Sequence, residues 1–335
     1  MGAHDRILRC PPEGLKRPEP PSDTGRGLLL RLPNYVGDAV MAWPAIARLV
    51  QAGWQPRLIG KSWAADLFAA TGLAVDVYPD SIRARIATLR RSAHVAGSRA
   101  MVLFTHSFSS AVEARLAGLR STGYRKDARG WLLADSAGRL PPGHQVERYW
   151  QLVDRLCPTS PPPADFRLPI DASARMRADA SLAEHGIAED FVLLVPRAGG
   201  DHRGRSKDWP HFPELAQWLH EAGWPTVISP GPGQATHQDG GLPDTRVLED
   251  LDLLAVAALA ERAGLVIAND AGLGHVAAAA GARLLSVFGH SDPDQVRPWS
   301  TRATVLGGRG QWPTLEALVA AARERLAAAT GQVRN

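Results

Sequence analysis

Apolar runs of four to six residues recur along the chain, and a turn rich in glycine, proline or polar residues follows most of them. Short runs of this kind predict strands that are buried on both faces, as in a parallel sheet. We expect strands over 27–32, 57–60, 75–78, 100–104, 191–195, 225–229, 265–268 and 284–288. Longer stretches between them predict helices over 39–50, 63–70, 173–185, 252–263 and 313–329, with a further helix that ends at 117. This alternation of strands and helices is typical of an α/β fold.

The clearest strand–helix–strand unit lies between Leu265 and Phe288. Its first strand ends in the turn 269–272, an alanine-rich helix follows, and Gly281 ends that helix. Open α/β sheets bind ligands at the carboxyl ends of their strands, and a helix N-terminus there favours a phosphate. The alternative is that Asp270 only caps the helix and that His275 is a packed surface residue.

A second candidate turn follows the first predicted strand. Asp38 comes directly after Gly37 and just before the predicted helix 39–50. A carboxylate in this position can face a cleft and accept a proton from a substrate. On the sequence alone, a simple helix cap at Asp38 is the alternative.

A third candidate is the long loop after the predicted strand 191–195. Gly199 and Gly200 let the backbone approach an anion closely. Lys207, helped by Arg197 or Arg205, could then neutralise a pyrophosphate. The alternative is that these charges are only solvated.

A proline-rich segment divides the chain into two nearly equal halves. The consecutive prolines within 157–165 cannot continue a helix or a central strand, so they predict an extended spacer. We therefore expect a flexible tail over 1–25, a first domain over 26–157, a linker over 158–165, a second domain over 166–312, and a C-terminal helix over 313–335.

The composition indicates the class of protein and the cellular compartment. The chain has 335 residues, of which 45% are hydrophobic and 21% charged, as in ordinary globular proteins. Its two cysteines, Cys10 and Cys157, cannot form a metal-ligand cluster, and we expect both to be free thiols. No apolar window is long enough to cross a bilayer, and the first residues lack a signal peptide's apolar core. These features predict a cytoplasmic protein.

The net charge of +4 is unevenly distributed. Residues 81–130 contain ten Arg or Lys but only two acids, Glu113 and Asp127. A basic face of this kind attracts polyanions such as an anionic membrane or a phosphorylated acceptor, although a merely solvated surface is the alternative. No nucleic-acid-binding motif accompanies the charge, so we expect no nucleic acid partner.

Asn-Asp-Ala-Gly-Leu-Gly-His at 269–275 and Ser-Val-Phe-Gly-His-Ser-Asp-Pro at 286–293 resemble the signature of glycosyltransferase family 9. This is the family of the ADP-heptose:lipopolysaccharide heptosyltransferases, and the likeness is closer to the heptosyltransferase II type. The resemblance extends over about 27–299. Further segments that carry it are Gly37-Asp38, Ser-Phe-x-Ser-Ala at 107–111, the following Gly-Tyr-Arg at 123–125, 144–149, and Lys-x-Trp-Pro at 207–210.

The resemblance implies a GT-B architecture of two facing Rossmann-like domains with parallel sheets. It implies an inverting transferase that moves a heptose from ADP-heptose to a phosphorylated lipopolysaccharide core. No acidic pair such as Asp-x-Asp is placed to hold the diphosphate, so we expect no metal requirement. The ADP-sugar is a substrate, so we also expect no cofactor. The acceptor would be reached at the cytoplasmic face of the inner membrane, through a peripheral contact. In GT-B enzymes a C-terminal helix commonly packs back on the N-terminal domain, and we extend that expectation to 313–335.

The same resemblance assigns roles to residues. Asp38 matches the proposed catalytic base, and Lys207 matches the lysine that contacts the nucleotide diphosphate. Leu251 stands where the family contacts adenine, whereas the usual ribose-binding Glu is missing from 234–238. The expected donor-binding residues are Gly199, Gly200, Arg205, Lys207, Leu251, Asp270, Ala271, Gly272 and His275. The expected acceptor-binding residues are Asn34, Ser107, Ser109, Arg125 and Lys126.

Two other functions stay open at this point. A sugar-nucleotide isomerase or epimerase with the GT-B architecture would need no acceptor. A non-catalytic nucleotide-sugar-binding protein would bind ADP without turnover. For the hydroxyl-bearing loop residues, local helix capping is the alternative to acceptor binding.

Overall fold

The computed structural model describes residues 26–187, 190–199, 201–202, 204–231 and 242–330. The expected flexible tail over 1–25, the predicted donor residue Gly200, and the region 234–238, from which the family's ribose-binding Glu is missing, lie outside the described residues. So does Cys10, whereas Cys157 is a buried free thiol.

The first domain is built on a six-stranded sheet in the order β3-β2-β1-β4-β5-β6. Its strands are β1 (Arg26–Arg31), β2 (Trp54–Gly60), β3 (Val75–Val77), β4 (Ala100–Leu103), β5 (Arg120–Arg125) and β6 (Asp135–Arg139). All neighbours pair in parallel. Its helices are α1 (Val36–Gln51), α2 (Trp63–Leu67), α3 (Ile82–Val95), α4 (Phe108–Leu116) and α5 (Gln145–Leu152), with 3₁₀ turns at Ala69–Thr71 and Arg129–Leu132.

The second domain repeats this plan. Its strands are β7 (Val192–Val195), β8 (Asp201–His202), β9 (Arg205–Ser206), β10 (Thr226–Ile228), β11 (Thr245–Val247), β12 (Leu265–Asn269), β13 (Leu284–Phe288) and β14 (Ala303–Gly307). Its helices are α6 (Ala172–Glu184), α7 (Phe212–Glu221), α8 (Leu253–Arg262), α9 (Gly272–Ala280), α10 (Pro293–Val296) and α11 (Leu315–Thr330). The parallel sheet has the order β11-β10-β7-β12-β13-β14, and β8 and β9 form a separate antiparallel pair.

Both sheets therefore have the doubly wound order in which the first strand of each is central. The central strands are buried on both faces: every residue of β12 and of β13 is buried. This explains why they read as unbroken apolar runs. The expected α/β fold with two Rossmann-like domains of the GT-B type is confirmed.

The two domains share a continuous core. The largest group of buried apolar side chains includes α1 and α5 from the first domain and α8 and α9 from the second. Trp43 Nε1 donates to the Arg167 carbonyl at 2.8 Å. His144 accepts from Val146 N through Nδ1, so its Nε2 carries the proton and donates to the Arg297 carbonyl at 2.9 Å. These contacts fix how the two domains face each other.

Residues 158–165 form neither helix nor strand, and side chains from both domains hold them. Trp150 Nε1 from α5 donates to the Ser160 carbonyl at 2.5 Å, and Trp299 Nε1 from the second domain donates to the Pro163 carbonyl at 2.8 Å. The segment is thus an extended connection that is fixed at two points.

The expectation that the C-terminal helix packs back on the first domain is wrong. Leu318, Ala322 and Leu326 of α11 are buried in an apolar cluster whose described members all belong to the second domain, among them Trp209. The reason is that α11 directly follows β14 and covers the nearer face of its own sheet. None of the helices in the described part of the chain is long and apolar enough to cross a membrane.

Candidate active site

A cleft of about 760 Å³ lies between the two domains, and every segment that lines it follows the carboxyl end of a strand. The first domain contributes the turn after β1 and the start of α1. The second domain contributes the segments after β7, β10, β11, β12 and β13. The lining residues include Asp38, Arg197, Gly199, Lys207, Gly231, Leu253, Asp270, Ala271, Gly272, His275, His290, Ser291, Asp292 and Gln295.

Two helix N-termini meet in this cleft. A Cβ on Gly37 of α1 would lie 2.7 Å from His275 Cδ2, and a Cβ on Gly272 of α9 would lie 3.0 Å from Val36 Cβ. Only glycine permits this close approach. Neither N-cap residue, Tyr35 or Ala271, provides a side-chain cap. The uncapped amide groups and the helix dipoles therefore make this part of the cleft attractive to an anion.

Asp270 does not cap α9. Its Oδ2 lies 2.8 Å from Lys207 Nζ and accepts a hydrogen bond from Ser291 Oγ at 2.5 Å. The Lys207 and Asp270 side chains are only 22% and 8% exposed, so water screens their attraction weakly. Asp270 thus holds the Lys207 ammonium group at the mouth of α9, and the capping alternative is wrong.

Asn269 is a positioning residue that the sequence analysis did not assign. It is completely buried, and its Oδ1 accepts from Trp209 N at 3.1 Å while its Nδ2 donates to the Pro196 carbonyl. Its amide therefore ties both ends of the Lys207 loop to the end of β12. Only its place at the end of an apolar strand could have suggested this role.

Asp38 faces the same cleft from the opposite domain. It is the third residue of α1 rather than its cap, so the capping alternative is wrong here too. Burial raises the pKa of Asp38 from 3.8 to about 6, with Lys207 lowering it and Asp270 raising it. A carboxylate with a pKa near neutrality in a cleft can act as a general base.

His275 of the second domain packs against Gly37 of the first domain. It is buried in α9 against Gly37, and desolvation lowers its pKa to about 4. The imidazole is therefore neutral at physiological pH. It packs against Gly37, next to Asp38, and also lines the cleft.

The Lys207 loop carries a second cation into the cleft. Arg197 lies 3.2 Å from Asp208 Oδ2, and Asp208 Oδ1 also accepts from Ala198 N at 2.7 Å. Gly199 lines the cleft with a φ of 70°, a conformation that favours glycine. By contrast, Arg205 on β9 is exposed and does not line the cleft. The sequence offered Arg197 or Arg205 as the second cation beside Lys207, and the structure places Arg197 in the cleft.

Most of the other predicted donor residues line the cleft, but Leu251 does not. Lys207, Asp270, Ala271, Gly272 and His275 are brought together in the cleft. Leu251 packs partly buried against the core, and Leu253 at the start of α8 lines the cleft instead. The two-residue difference arises because Asp252 caps α8 through Ala255 N and so turns Leu253 toward the cleft.

The predicted acceptor residues do not line the cleft among the described residues. Asn34 is exposed and accepts from Arg31 Nη2 at 2.8 Å. Ser107 caps α4 by accepting from Ser110 N, and the exposed Ser109 hydroxyl donates to it. Local capping is thus confirmed for Ser107. Arg125 and Lys126 lie together in a separate surface pocket.

The segment after β13 adds residues to the cleft that were not assigned from the sequence. His290, Asp292 and Gln295 line it beside Ser291. Their motif was recognised at 286–293, but nothing in the pattern showed which side chains point inward. In the described parts of the chain, no group of three or more His, Cys, Asp or Glu could hold a metal ion.

Comparisons with known proteins point to one family. The model of glycosyltransferase family 9 (heptosyltransferase) matches residues 89–321, more than half of the chain. Lipopolysaccharide heptosyltransferase 2 of Salmonella typhimurium is 27% identical over 318 residues, which cover 82% of this chain and 86% of that protein. Lipopolysaccharide heptosyltransferase 1 of Pseudomonas aeruginosa is 35% identical over 94 residues, and that match spans only 26% of each chain.

A solved structure shares the fold. The E. coli ADP-heptose lps heptosyltransferase II superimposes with a TM-score of 0.68 at 22% identity, covering 92% of this chain and 98% of that one. The expected family resemblance is therefore confirmed, and the chain belongs to glycosyltransferase family 9, the heptosyltransferase family.

Proposed function

We propose that the protein is an inverting glycosyltransferase that moves a heptose from ADP-heptose to a phosphorylated sugar of the lipopolysaccharide inner core. One observation carries the proposal. The Asp38 carboxylate, with its pKa raised to about 6, faces the Lys207–Asp270 pair and the N-terminus of α9 across one cleft. A base and an anion-binding site are what transfer from a sugar diphosphate to a hydroxyl requires.

The strand order gives the donor a direction. Cleft residues follow β10 (Gly231), β7 (Gly199, Lys207), β12 (Asp270, Gly272) and β13 (His290), which are neighbours in that order. Strands lie about 4.8 Å apart, so these ends span about 14 Å, comparable to an extended nucleotide sugar. The diphosphate fits best at β7 and β12, where the cation and the α9 amides are. The nucleoside then lies toward Gly231 and Leu253, and the sugar toward His290.

In this arrangement the chemistry needs no metal. The acceptor hydroxyl oxygen attacks the anomeric carbon while Asp38 removes its proton, and the bond from that carbon to the phosphate oxygen breaks. ADP departs with the bonding electron pair, and the configuration at the anomeric carbon is inverted. Lys207, Arg197 and the α9 amides stabilise the charge that develops on the leaving phosphate.

The acceptor enters along the carboxyl edge of the first sheet. Loops after β1, β4 and β5 reach this edge, and they carry the proposed acceptor-binding residues. Those residues are Asn34, Ser109, Arg125 and Lys126, whereas Ser107 serves as the cap of α4. The enzyme would work in the cytoplasm, against the inner face of the membrane that holds the acceptor.

The proposed reaction can be tested with a panel of ADP- and UDP-sugars and with truncated lipopolysaccharides as acceptors. Mass spectrometry should detect one added heptose on an inner-core acceptor, from ADP-heptose and not from the UDP-sugars. Release of an altered sugar nucleotide without an acceptor would identify an isomerase. ADP binding without turnover of any donor would identify a silent binder.

The pH dependence of catalysis should reflect Asp38. The base must be deprotonated, so kcat/KM is expected to fall about tenfold per pH unit below the raised pKa of about 6. His144 and His275 have pKa values lowered to about 4, so neither titrates in this window. Rates measured from pH 4.5 to 8 check this, and a flat profile down to pH 5 would argue against Asp38 as the base.

His290 tests the direction of the donor. Its Nδ1 is buried and makes no hydrogen bond with the described residues, and its ring packs edge-on against Trp312 at 5.6 Å. His290→Ala should raise KM for ADP-heptose about fivefold, the effect of losing one hydrogen bond, while leaving ADP affinity unchanged. His220→Ala, on the exposed end of α7, is the matched control. If ADP affinity falls equally, His290 contacts the nucleotide and the donor runs the other way.

A further inference from the structure

Two exposed aromatic side chains lie together beside the acceptor edge of the first sheet. Phe108 at the start of α4 and Trp131 in the 3₁₀ turn Arg129–Leu132 are 42% and 75% exposed, and their ring centroids are 6.3 Å apart. The two adjoining rings form a contiguous apolar patch, and such patches often mark an interaction site. A tryptophan is especially suited to the interface between water and lipid headgroups, because its ring is apolar and its N–H is polar.

Three cations lie in the same surface pocket as Trp131. Arg125, Lys126 and Arg139 are exposed and, with Trp131, line a surface pocket of about 670 Å³. Asp127 is the one acid among the described residues that line it. None of the three forms an ion pair with any residue that the structure describes. Other exposed arginines are paired, as Arg155 is with Asp135 and Arg262 with Asp179. The unpaired cations leave this surface with a local positive charge.

A buried arginine makes the surface rigid. Arg129 has no exposed area, and its guanidinium donates to the carbonyls of Tyr124, Thr105 and Ser107 at 2.9, 2.8 and 3.2 Å. It therefore fastens the loop after β5 to the loop after β4. The backbone next to Phe108, Lys126 and Trp131 is therefore fixed before any partner arrives.

The surface is positioned to serve the cleft. Asp38 follows β1, Phe108 follows β4, Trp131 follows β5, and Arg139 ends β6, and these strands are consecutive neighbours in a parallel sheet. All four residues thus lie along one edge. At about 4.8 Å per strand, Trp131 and Arg139 lie roughly 10–15 Å to the side of Asp38. That distance is about the reach of a few sugar units on a lipid.

We propose that Phe108, Trp131, Arg125, Lys126 and Arg139, which we name the docking patch, bind the surface of a bilayer that contains anionic lipids. The rings enter the headgroup layer, and the cations lie against the lipid phosphates. The patch then holds the cleft close to the membrane so that an acceptor anchored there can reach Asp38. The inference rests on the proposed function only for the acceptor; the docking itself requires neither donor nor acceptor.

Vesicle flotation of the full chain tests the proposal. The protein should bind vesicles of phosphatidylglycerol and phosphatidylcholine, and should bind vesicles of phosphatidylcholine alone much less. Trp131→Ala is expected to lower the partition coefficient about tenfold. Arg139→Gln should lower it about fivefold, the typical effect of one basic residue at an anionic membrane, and added salt should reduce it further.

Two matched variants serve as controls. Met176→Ala removes a side chain that is 70% exposed on α6 of the other domain. Arg99→Gln removes an exposed cation just before β4, at the opposite edge of the same sheet. Both should bind vesicles like the unchanged protein.

Three results would overturn the docking patch: unchanged binding of Trp131→Ala, an equal loss in Arg99→Gln and Arg139→Gln, or complete displacement by millimolar inorganic phosphate. The last would identify the pocket as a site for a free phosphate group. Because the assay contains no sugar nucleotide, such a failure leaves the proposed transfer reaction standing. If the unchanged protein binds vesicles as expected but transfers no heptose in the sugar-nucleotide panel, the proposed reaction is contradicted and the docking patch still stands.

Discussion

Asp38→Asn is expected to lower kcat by about 10²–10⁴-fold, the usual contribution of a positioned general base. Asparagine has nearly the same size and can remain in the first turn of α1, but it cannot accept the acceptor's proton. ADP affinity should be almost unchanged, because asparagine leaves the backbone amides of α1 in place and the proposed cationic contacts to the diphosphate come from the other domain. Steady-state kinetics together with calorimetry of ADP binding measure both quantities.

Asp38→Asn should not lower the thermal stability of the protein at neutral pH. The pKa of Asp38 is raised from 3.8 to about 6 in the folded protein, so the folded state binds this proton more tightly than the unfolded chain. The contribution of Asp38 to stability is therefore lost as the pH rises from about 4 to about 6. At pH 7 the Asn variant should have a Tm equal to or above that of the unchanged protein.

Asp80→Asn is the matched control, since the Asp80 side chain is 99% exposed and lies away from the cleft. It should alter neither kcat nor Tm. An Asp38→Asn variant that turns over normally would show that the carboxylate is not the base. A variant that is inactive and also melts at a lower temperature would point to a structural role instead.

Lys207→Ala should weaken ADP binding by about 5–100-fold, as expected for a lost charge-assisted contact. It should lower kcat further, by about 10²–10³-fold, because the lysine also stabilises the charge on the leaving diphosphate. The substitution leaves the Asp270 carboxylate, 8% exposed, without its cation. Part of the effect therefore reflects the cost of that unpaired charge.

The Lys207→Ala variant should also change the pH dependence of the rate, because Lys207 of one domain acts on the pKa of Asp38 of the other. Lys207 lowers the pKa of Asp38, so its removal should move the acid limb of the pH–rate profile above about 6. Lys61→Ala, which removes a half-exposed lysine from an exposed pair with Asp80, is the control and should shift nothing. Unchanged ADP affinity and an unmoved acid limb in Lys207→Ala would remove this lysine from the site.

Much of the central architecture could be predicted from local pattern. The strand over Leu284–Phe288 has the bounds that its apolar run indicated, and the turn at 269–272 begins α9 as expected. Buried parallel strands must be apolar on both faces, so their pattern is strong. The linker was also visible, because proline excludes helices and central strands.

The edge of the first sheet could not be found in this way. β5 and β6 contain Arg-Ser-Thr-Gly-Tyr-Arg and Asp-Ser-Ala-Gly-Arg, which alternate weakly and carry charges. Such sequences become strands because a neighbouring strand supplies hydrogen bonds, not because of local hydrophobicity. Likewise α3 is rich in arginine and has only three buried residues, so its apolar stripe is faint.

The candidate site was predictable where the chain itself carries the signal. A glycine before Asp38 and a lysine before a Trp-Pro pair are local features, and the structure brings both residues into one cleft. The bridge made by Asn269 is not local, since its partners are about 60 and 73 residues away. Which arginine enters the cleft, and whether Leu251 or Leu253 does, depends on turn geometry that no spacing rule encodes.

The two uncapped helix ends have a practical consequence for solution work. Where α1 and α9 meet, their amide groups have no side-chain acceptor of their own, and Lys207 stands beside them. A small tetrahedral anion satisfies the same groups as the donor's diphosphate. Phosphate and sulfate buffers should therefore act as competitive inhibitors, and affinities measured in them will be understated. Crystals grown from sulfate would carry that ion where the nucleotide belongs, so a chloride-based, low-salt medium is the right one for binding and for soaking.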